Sequence, residues 1–127
     1  MINRQHGILL IGCGHIGKEH IEDIYYRDNI RIAAVADKDP ERAASFARRY
    51  GALRHGTDYR AFLKDPLLDI VIIASYADSH LSILKDCLKA GLHVLCEKPI
   101  AAGSRDGRAF YDLVRSSRSK VLVAHIL

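Results

Sequence analysis

The sequence has no long hydrophobic run. None of its apolar stretches approaches the roughly 18–20 residues that a helix needs to cross a bilayer, which argues against an integral membrane protein. The initial segment MINRQHG leads directly into a short apolar stretch and lacks the hydrophobic region and the small-residue cleavage site of a secretory signal. We therefore expect a cytoplasmic protein with no membrane partner.

Cysteines and blocks of basic residues are also scarce. Cys13, Cys87 and Cys96 are too few and too scattered for a disulfide framework or a CxxC metal site. They suit a reducing compartment and are expected to be buried free thiols. The formal net charge is only +4, and no basic block is longer than the pair at 48–49. This charge pattern does not favour a nucleic acid partner.

The sequence does contain a regular alternation of short β-branched stretches and segments of helical length. It has no repeat, linker or low-complexity segment, and its 127 residues fit one domain, residues 1–127. The predicted strands are 7–11, 31–36, 53–55, 69–74, 93–97 and 120–126. The predicted helices are 16–26, 40–50, 59–64, 79–91 with Ser79 as N-cap, and 104–117. This alternation predicts an α/β fold, a doubly wound parallel sheet in the order 3-2-1-4-5-6.

Three glycines lie between the first predicted strand and the first predicted helix, in the stretch GCGHIG. Gly12, Gly14 and Gly17 have the G-x-G-x-x-G spacing, which serves a tight turn, a close backbone approach to a pyrophosphate, and helix–strand packing in turn. The unpaired amides of a helix N-terminus favour an anion there. The spacing alone is equally compatible with a simple tight turn, so the surrounding residues decide its interpretation.

Asp37 ends the second predicted strand, 20 residues after Gly17. A dinucleotide-binding fingerprint has an acid at this place, where it accepts the ribose hydroxyls of adenosine and repels a 2′-phosphate. Asp37 therefore favours NAD, while Lys38 and Arg42 are nearby cations that could approach a phosphate and keep NADP open. The competing interpretation is a surface carboxylate in a turn before a helix that Asp39 caps.

The stretch CEKPIA follows the fifth predicted strand. The residue before a proline is disfavoured in helical conformation, so Lys98 is expected to be extended at the carboxyl end of a strand, where open α/β sheets bind ligands. A lysine there can polarise the oxygen of a substrate hydroxyl or carbonyl. The alternative is a solvated loop lysine.

Seven histidines raise the question of a metal site. His15 and His20 are five apart, which places them on different helix faces. Four further histidines have no carboxylate or thiol at ligand spacing: His6, His55, His93 and His125. We therefore expect no metal. Cys96 adjoins Glu97 but has no expected histidine partner, and we interpret it as a buried strand residue.

Taken together, four stretches resemble the Gfo/Idh/MocA oxidoreductases, a family that includes glucose–fructose oxidoreductase and inositol dehydrogenase. They are GCGHIG, VADKDPERA, DIVIIASYADSH and AGLHVLCEKPIA, and the EKP triplet in the last is the most specific of them. The resemblance covers essentially the whole chain. It implies an NAD(P)-binding Rossmann domain in an enzyme that oxidises or reduces a sugar, cyclitol or related polyol.

The resemblance also implies roles for particular residues. The pyrophosphate loop would comprise Gly12, Cys13, Gly14, His15, Ile16 and Gly17, with Cys13, His15 and Ile16 contributing through their backbones. Asp37, with Lys38 beside it, matches the adenosine-ribose position. Glu97 is expected near the nicotinamide ribose, and Lys98 is expected to face the substrate as the catalytic residue. Pro99 would fix this geometry, and the peptide bond before it is a candidate for the cis form.

The segment after strand four departs from the family pattern. The family has Thr-Pro-Asn where this sequence has Ser75, Tyr76 and Ala77. Ser75 keeps the hydroxyl, whereas Tyr76 could either stack on the cofactor or cover the end of the sheet. His80 matches the histidine that opens the next helix and is included among the expected cofactor contacts.

The second departure is length. Family members continue into another α/β domain that forms the substrate pocket and the subunit interface and supplies an acid/base, so a homo-oligomer is an expectation for the complete enzyme only. This sequence ends at VAHIL, which suggests a cut after the Rossmann domain or a gene fragment, and the chain alone is expected to be inactive. The alternative function is a non-catalytic module that binds or senses NAD(P) together with a partner chain.

Overall fold

The computed structural model of the chain describes residues 5–124. Six parallel strands form one sheet in the order β3-β2-β1-β4-β5-β6, which confirms the predicted doubly wound fold. The strands are β1 His6–Ile11, β2 Ile30–Ala36, β3 Arg54–Gly56, β4 Leu68–Ile73, β5 His93–Glu97 and β6 Val121–Ala124. The sixth strand was predicted to reach residue 126, but residues 125–127 lie outside the described residues.

Four α-helices connect the strands. They are α1 His15–Ile24, α2 Pro40–Tyr50, α3 Ala77–Lys89 and α4 Ser104–Ser116, and a short 3-10 turn occupies Tyr59–Phe62. Helix α2 begins with proline after Asp39, whose side chain accepts a hydrogen bond from the Glu41 amide, and ends at Gly51 with φ of 72°. Local sequence therefore sets both ends of this helix as predicted.

The start of α3 differs from the prediction. Ser79 was expected to be the N-cap, but the helix begins at Ala77 and Tyr76 is the N-cap. The Ser79 hydroxyl donates to the Tyr76 carbonyl oxygen at 2.7 Å, so it lies within the first turn instead of preceding it. Serine is common both at caps and in first turns, and this ambiguity explains the error.

Buried side chains cover both faces of the sheet. On one face, α3 and α4 pack against a cluster that includes Leu9, Ile73 and Phe110; on the other, α1 and α2 pack against a cluster around Leu10 and Val35. All three cysteines are free and buried. Within residues 5–124, no helix has the length and apolar character that crossing a membrane requires.

The strand register brings the four candidate segments to one edge of the sheet. Ile11 is paired with Ala36 on one side and with Ile73 on the other, and Ile73 is paired with Cys96. The residues that follow these strand positions therefore form a row at the carboxyl end of the sheet, where doubly wound folds bind ligands.

Candidate functional site

The turn after β1 is tied to its neighbours through Gly12. Its amide donates to the Ala36 carbonyl oxygen at 2.8 Å, and its φ of +100° lies in the left-handed region that favours glycine. A Cβ atom at this position would lie 2.6 Å from the carbonyl carbon of Ala74. The fold itself therefore requires glycine at position 12.

Gly17 is also required by packing, whereas Gly14 is not. A Cβ at Gly17 would lie 2.0 Å from the carbonyl oxygen of Gly12, so any side chain there would separate α1 from the turn. A Cβ at Gly14 would meet no atom within 4 Å. Nothing in the packing of the described residues explains a glycine at 14, and the space above it is open to a ligand.

Helix α1 begins next to this open space. Gly14 is its N-cap and has no side chain with which to cap the helix, and the first turn contains no acidic residue. The first amides of a helix, here those of His15 and Ile16, have no acceptor within the helix. His15 is exposed and Ile16 is half-buried, so this end of α1 offers positive backbone dipoles to an anion.

The Asp37 carboxylate joins the turns after β1 and β2. Its Oδ2 accepts a hydrogen bond from the Cys13 amide at 2.7 Å, and its Oδ1 accepts one from the Asp39 amide at 2.8 Å. Cys13 was predicted to contact a pyrophosphate through its backbone, but its N–H is directed at Asp37 instead. Its thiol is buried, and burial together with the Asp37 charge raises the pKa of Cys13 to about 12.

The cations near Asp37 are on the surface. Lys38 is exposed, and Arg42 lies 3.8 Å from the Asp39 carboxylate. Both residues lie close to Asp37 in sequence. That either of them contacts a ligand at Asp37 stays a prediction.

The loop between β4 and α3 presents two side chains of very different exposure. The Ser75 hydroxyl is 2.7 Å from the Ser79 hydroxyl, which holds it near the first turn of α3. Tyr76 is 86% exposed, the highest value among the large hydrophobic residues described. The ring therefore does not cover the end of the sheet, and it is available for contact with a ligand or another part of a protein.

His80 lies behind this loop and not on its surface. The side chain is 1% exposed; Nε2 is 2.8 Å from the Ser75 carbonyl oxygen and Nδ1 is 3.4 Å from Cys96 Sγ. With both ring nitrogens occupied and no accessible surface, His80 supports Ser75 and offers no direct contact to a cofactor, unlike the contact predicted from the sequence.

Cys96 does have a histidine neighbour, which corrects the expectation that it had none. The two residues are 16 apart in sequence and meet because α3 packs on β5. Burial, and secondarily the Glu97 charge, raises the pKa of the Cys96 thiol to about 12. The thiol therefore stays protonated near neutral pH, and the interpretation of Cys96 as a buried strand residue fits this environment.

Glu97 is the last residue of β5 and Lys98 follows it, but the first is buried and the second is exposed. Glu97 is buried at 6% exposure, and its Oε1 forms a hydrogen bond with Nε2 of His20 on α1. Lys98 is exposed, and the peptide bond between Lys98 and Pro99 is cis. His20 was not predicted as a site residue, although its spacing of three from Gly17 places both residues on the sheet-facing side of α1.

The site thus combines an open backbone cradle, a fixed carboxylate, an exposed ring and an exposed lysine along one sheet edge. Such an edge can hold an anionic diphosphate at α1, accept hydroxyl groups at Asp37, and place a cation beside a reacting oxygen at Lys98. No group of three histidine, cysteine or carboxylate side chains suitable for a metal ion occurs within residues 5–124.

Comparison with known proteins agrees with this architecture. The model of the family described as oxidoreductase family, NAD-binding Rossmann fold, matches residues 6–125. The chain is 36% identical over 123 residues to levoglucosan dehydrogenase of Pseudarthrobacter phenanthrenivorans, covering 91% of this chain and 32% of the relative. It is 32% identical over 114 residues to inositol 2-dehydrogenase of Rhizobium meliloti, covering 90% of this chain and 34% of the relative.

Solved structures give the same result. Levoglucosan dehydrogenase in complex with NADH superposes with a TM-score of 0.85 at 30% identity, covering 95% of this chain and 35% of that chain. The apo scyllo-inositol dehydrogenase of Lactobacillus casei shares the fold, with a TM-score of 0.89 at 22% identity over 98% of this chain and 37% of that one. The chain spans about a third of the length of the curated relatives it matches. It belongs to the Gfo/Idh/MocA oxidoreductase family and matches that family over its NAD-binding Rossmann fold.

Proposed function

We propose that this chain is the dinucleotide-binding domain of an enzyme that transfers a hydride between a nicotinamide cofactor and a sugar, cyclitol or related polyol. The observation that carries the proposal is Gly14. Its Cβ position is open while Gly12 and Gly17 are enclosed by backbone, and it is the N-cap of α1 at the carboxyl end of β1, so a ligand can approach the backbone closely there. The residues present therefore fit a pyrophosphate at this position.

The remaining residues at the sheet edge fit the two halves of a dinucleotide. The amides of His15 and Ile16 would bind the pyrophosphate, and Asp37, supported by Cys13 and Asp39, would accept the adenosine-ribose hydroxyls. A bound nicotinamide ring supplies the hydride acceptor or donor. In this proposal NAD is favoured over NADP, because a 2′-phosphate would meet the Asp37 carboxylate.

The other half of the site would orient the nicotinamide end and the substrate. Ser75 and Tyr76 lie after β4, and Glu97 and Lys98 lie at the end of β5, on the side of the switch point opposite Asp37. Lys98 would hold its ammonium group against the reacting oxygen of the substrate and stabilise the negative charge that develops there while the hydroxyl proton passes to an acid/base from outside this chain. The polyol class is supported by the levoglucosan and inositol dehydrogenases among the relatives.

We also propose that a second part of the polypeptide completes the enzyme. On the face that carries α1, residues 5–124 leave the sheet uncovered at β5 and β6: Leu122 is 68% exposed, and Ile70 and Leu95 are half-buried beside it. Apolar strand faces of this kind are normally covered in α/β folds. Additional chain of the length seen in the relatives could cover this face and supply the substrate pocket, the acid/base and an oligomer interface. The three buried free thiols suit a reducing compartment such as the cytoplasm.

The test is the affinity of the Gly14→Ala variant for NADH, measured by calorimetry against the unaltered chain. We expect a loss of about tenfold or more, because the new methyl group occupies the space needed by the pyrophosphate. Gly103→Ala is the matched control: Gly103 is the N-cap of α4, and its Cβ would also meet nothing within 4 Å. Equal NADH affinity in Gly14→Ala and Gly103→Ala, or no NADH binding by the unaltered chain, would contradict the proposal.

A further inference from the structure

We propose that His20 is a positioning residue that fixes the Glu97 carboxylate in the nicotinamide half of the site. This inference rests on the proposed function, since it assigns a further residue to the same dinucleotide site. It is carried by the contact between His20 Nε2 and Glu97 Oε1, which joins α1 to the end of β5 across 77 residues of sequence.

The direction of the Glu97 side chain follows from the pleat of β5. Val94 and Cys96 contribute to the cluster under α3 and α4, whereas Leu95 packs against the cluster under α1 and α2. Successive side chains of a strand alternate between faces, so Glu97 lies on the same face as Leu95 and α1. His20, on the second turn of α1, is therefore placed to reach it.

Both partners of this contact are largely removed from solvent. The side chain of His20 is 19% exposed and that of Glu97 is 8% exposed. A carboxylate at such a depth needs a hydrogen-bonding partner, because an unpaired buried charge is costly. Two other histidine–carboxylate pairs in the described residues, His6–Asp69 and His15–Glu19, are much more exposed at the histidine, with 48% and 82%.

The proposed site has two halves, and the contact between His20 and Glu97 lies in only one of them. The N-terminus of α1 and Asp37 serve the pyrophosphate and the adenosine ribose, on the β1–β2 side of the sheet. Glu97 lies at the end of β5, on the other side of the switch point, next to Lys98. Loss of His20 should therefore disturb ligands that extend to the β5 side and leave unaffected those that stop at the diphosphate.

The experiment compares NADH with ADP, which lacks the nicotinamide riboside. In the chain carrying His20→Leu, we expect NADH affinity to fall about tenfold, the effect of one lost charge-assisted hydrogen bond, while ADP affinity stays unchanged. His20→Gln should recover most of the NADH affinity, because the glutamine amide can donate from nearly the position of Nε2. In a chain that already carries Glu97→Met, His20→Leu should add no further loss.

The matched control is His6→Leu, which removes the histidine of the His6–Asp69 pair at the opposite end of the sheet and should change neither affinity. An equal loss of NADH and ADP affinity in His20→Leu, or no loss of either, would overturn the assignment. The assignment would also be overturned if His20→Leu lowered NADH affinity as much in the Glu97→Met chain as it does in the unaltered chain. An unaltered chain that binds neither ligand would instead refute the proposed function, and this inference with it.

Discussion

The backbone amide of Cys13 donates a 2.7 Å hydrogen bond to Oδ2 of Asp37, so the acid after β2 holds the glycine turn after β1. The second carboxylate oxygen accepts the Asp39 amide, which precedes α2. Asp37 therefore contributes to the shape of the cradle as well as to the proposed recognition of ribose. Replacing it should affect both the stability of the chain and the affinity for the cofactor.

Asp37→Asn tests these two contributions together. The asparagine amide group can accept only one of the two backbone N–H groups, so we expect the free energy of unfolding to fall by about 1–3 kcal/mol. We also expect weaker NAD binding and a smaller preference for NAD over NADP, because the negative charge that opposes the 2′-phosphate is gone. Urea denaturation measures the first effect, and calorimetric titration with each cofactor measures the second.

Asp39→Asn is the control for this substitution. Asp39 is the N-cap of α2, and asparagine caps a helix about as well as aspartate. The unfolding free energy of the Asp39→Asn variant, and its preference between the two cofactors, should stay close to those of the unaltered chain. A preference for NADP in the unaltered chain would contradict the interpretation of Asp37.

The sequence was sufficient to predict the fold and the end of the sheet at which the four candidate segments lie, because these signals are local. Strand–helix alternation predicts a parallel, doubly wound sheet. The bounds of α2 and β5 agree with prediction because Asp39, Pro40 and Gly51 delimit α2 and Gly91 precedes β5. Helix α3 was misplaced at its start because Ser79 is equally suited to a first turn, where its hydroxyl binds the Tyr76 carbonyl.

The contacts that escaped prediction are those between distant elements. His20 meets Glu97 and His80 meets Cys96 only after α1 and α3 pack on the sheet, and no spacing in the sequence reports these distances. The same reason explains Cys13: whether its amide faces a ligand or Asp37 depends on how closely two turns approach. Exposure of Leu122 could not be predicted either, because an apolar strand does not show which of its faces will be covered.

Gly17 and Gly107 are helical glycines with opposite surroundings, and alanine should affect them in opposite directions. A Cβ at Gly17 would lie 2.0 Å from a backbone oxygen, so Gly17→Ala should lower the free energy of unfolding by about 2–3 kcal/mol. A Cβ at Gly107 would meet nothing within 4 Å. Gly107→Ala should therefore raise the free energy of unfolding by about 0.5–1 kcal/mol, since alanine loses less conformational freedom on folding.

Urea denaturation of both variants measures this difference. The two substitutions are chemically identical and both lie in helices, so general helix propensity cancels between them. Stabilisation by Gly17→Ala would show that α1 can move away from the turn at no cost, contrary to the packing argument.

Lys98→Ala should separate chemistry from cofactor binding in the complete enzyme. Because the exposed ammonium group is proposed to act on the substrate oxygen, we expect kcat to fall by roughly 10²–10³, while the affinity for NADH stays nearly intact. Lys85→Ala, which removes an exposed lysine from α3, is the control and should change neither quantity. A large loss of NADH affinity with Lys98→Ala would contradict the assigned role.

The buried thiols make stability depend on pH in the alkaline range. Burial, with smaller effects of the Asp86 charge and of Cys96, raises the pKa of Cys87 from 9.0 to about 12. Above pH 9 the unfolded chain releases the thiol proton while the folded chain retains it, so the unfolded state is increasingly favoured as the pH rises. The stabilising contribution is therefore complete below pH 9 and is lost between about pH 9 and 12.

Cys87→Ala should reduce this dependence. Between pH 9 and 11, we expect the free energy of unfolding of this variant to decline less steeply than that of the unaltered chain. The difference between the two slopes should be roughly 1.4 kcal/mol per pH unit. Ile83→Val also removes buried volume from α3 but adds or removes no titrating group, so it should shift the whole curve without changing its slope. Urea denaturation at a series of pH values measures the three slopes. Parallel curves for Cys87→Ala and the unaltered chain would show that this thiol does not stay protonated in the folded state.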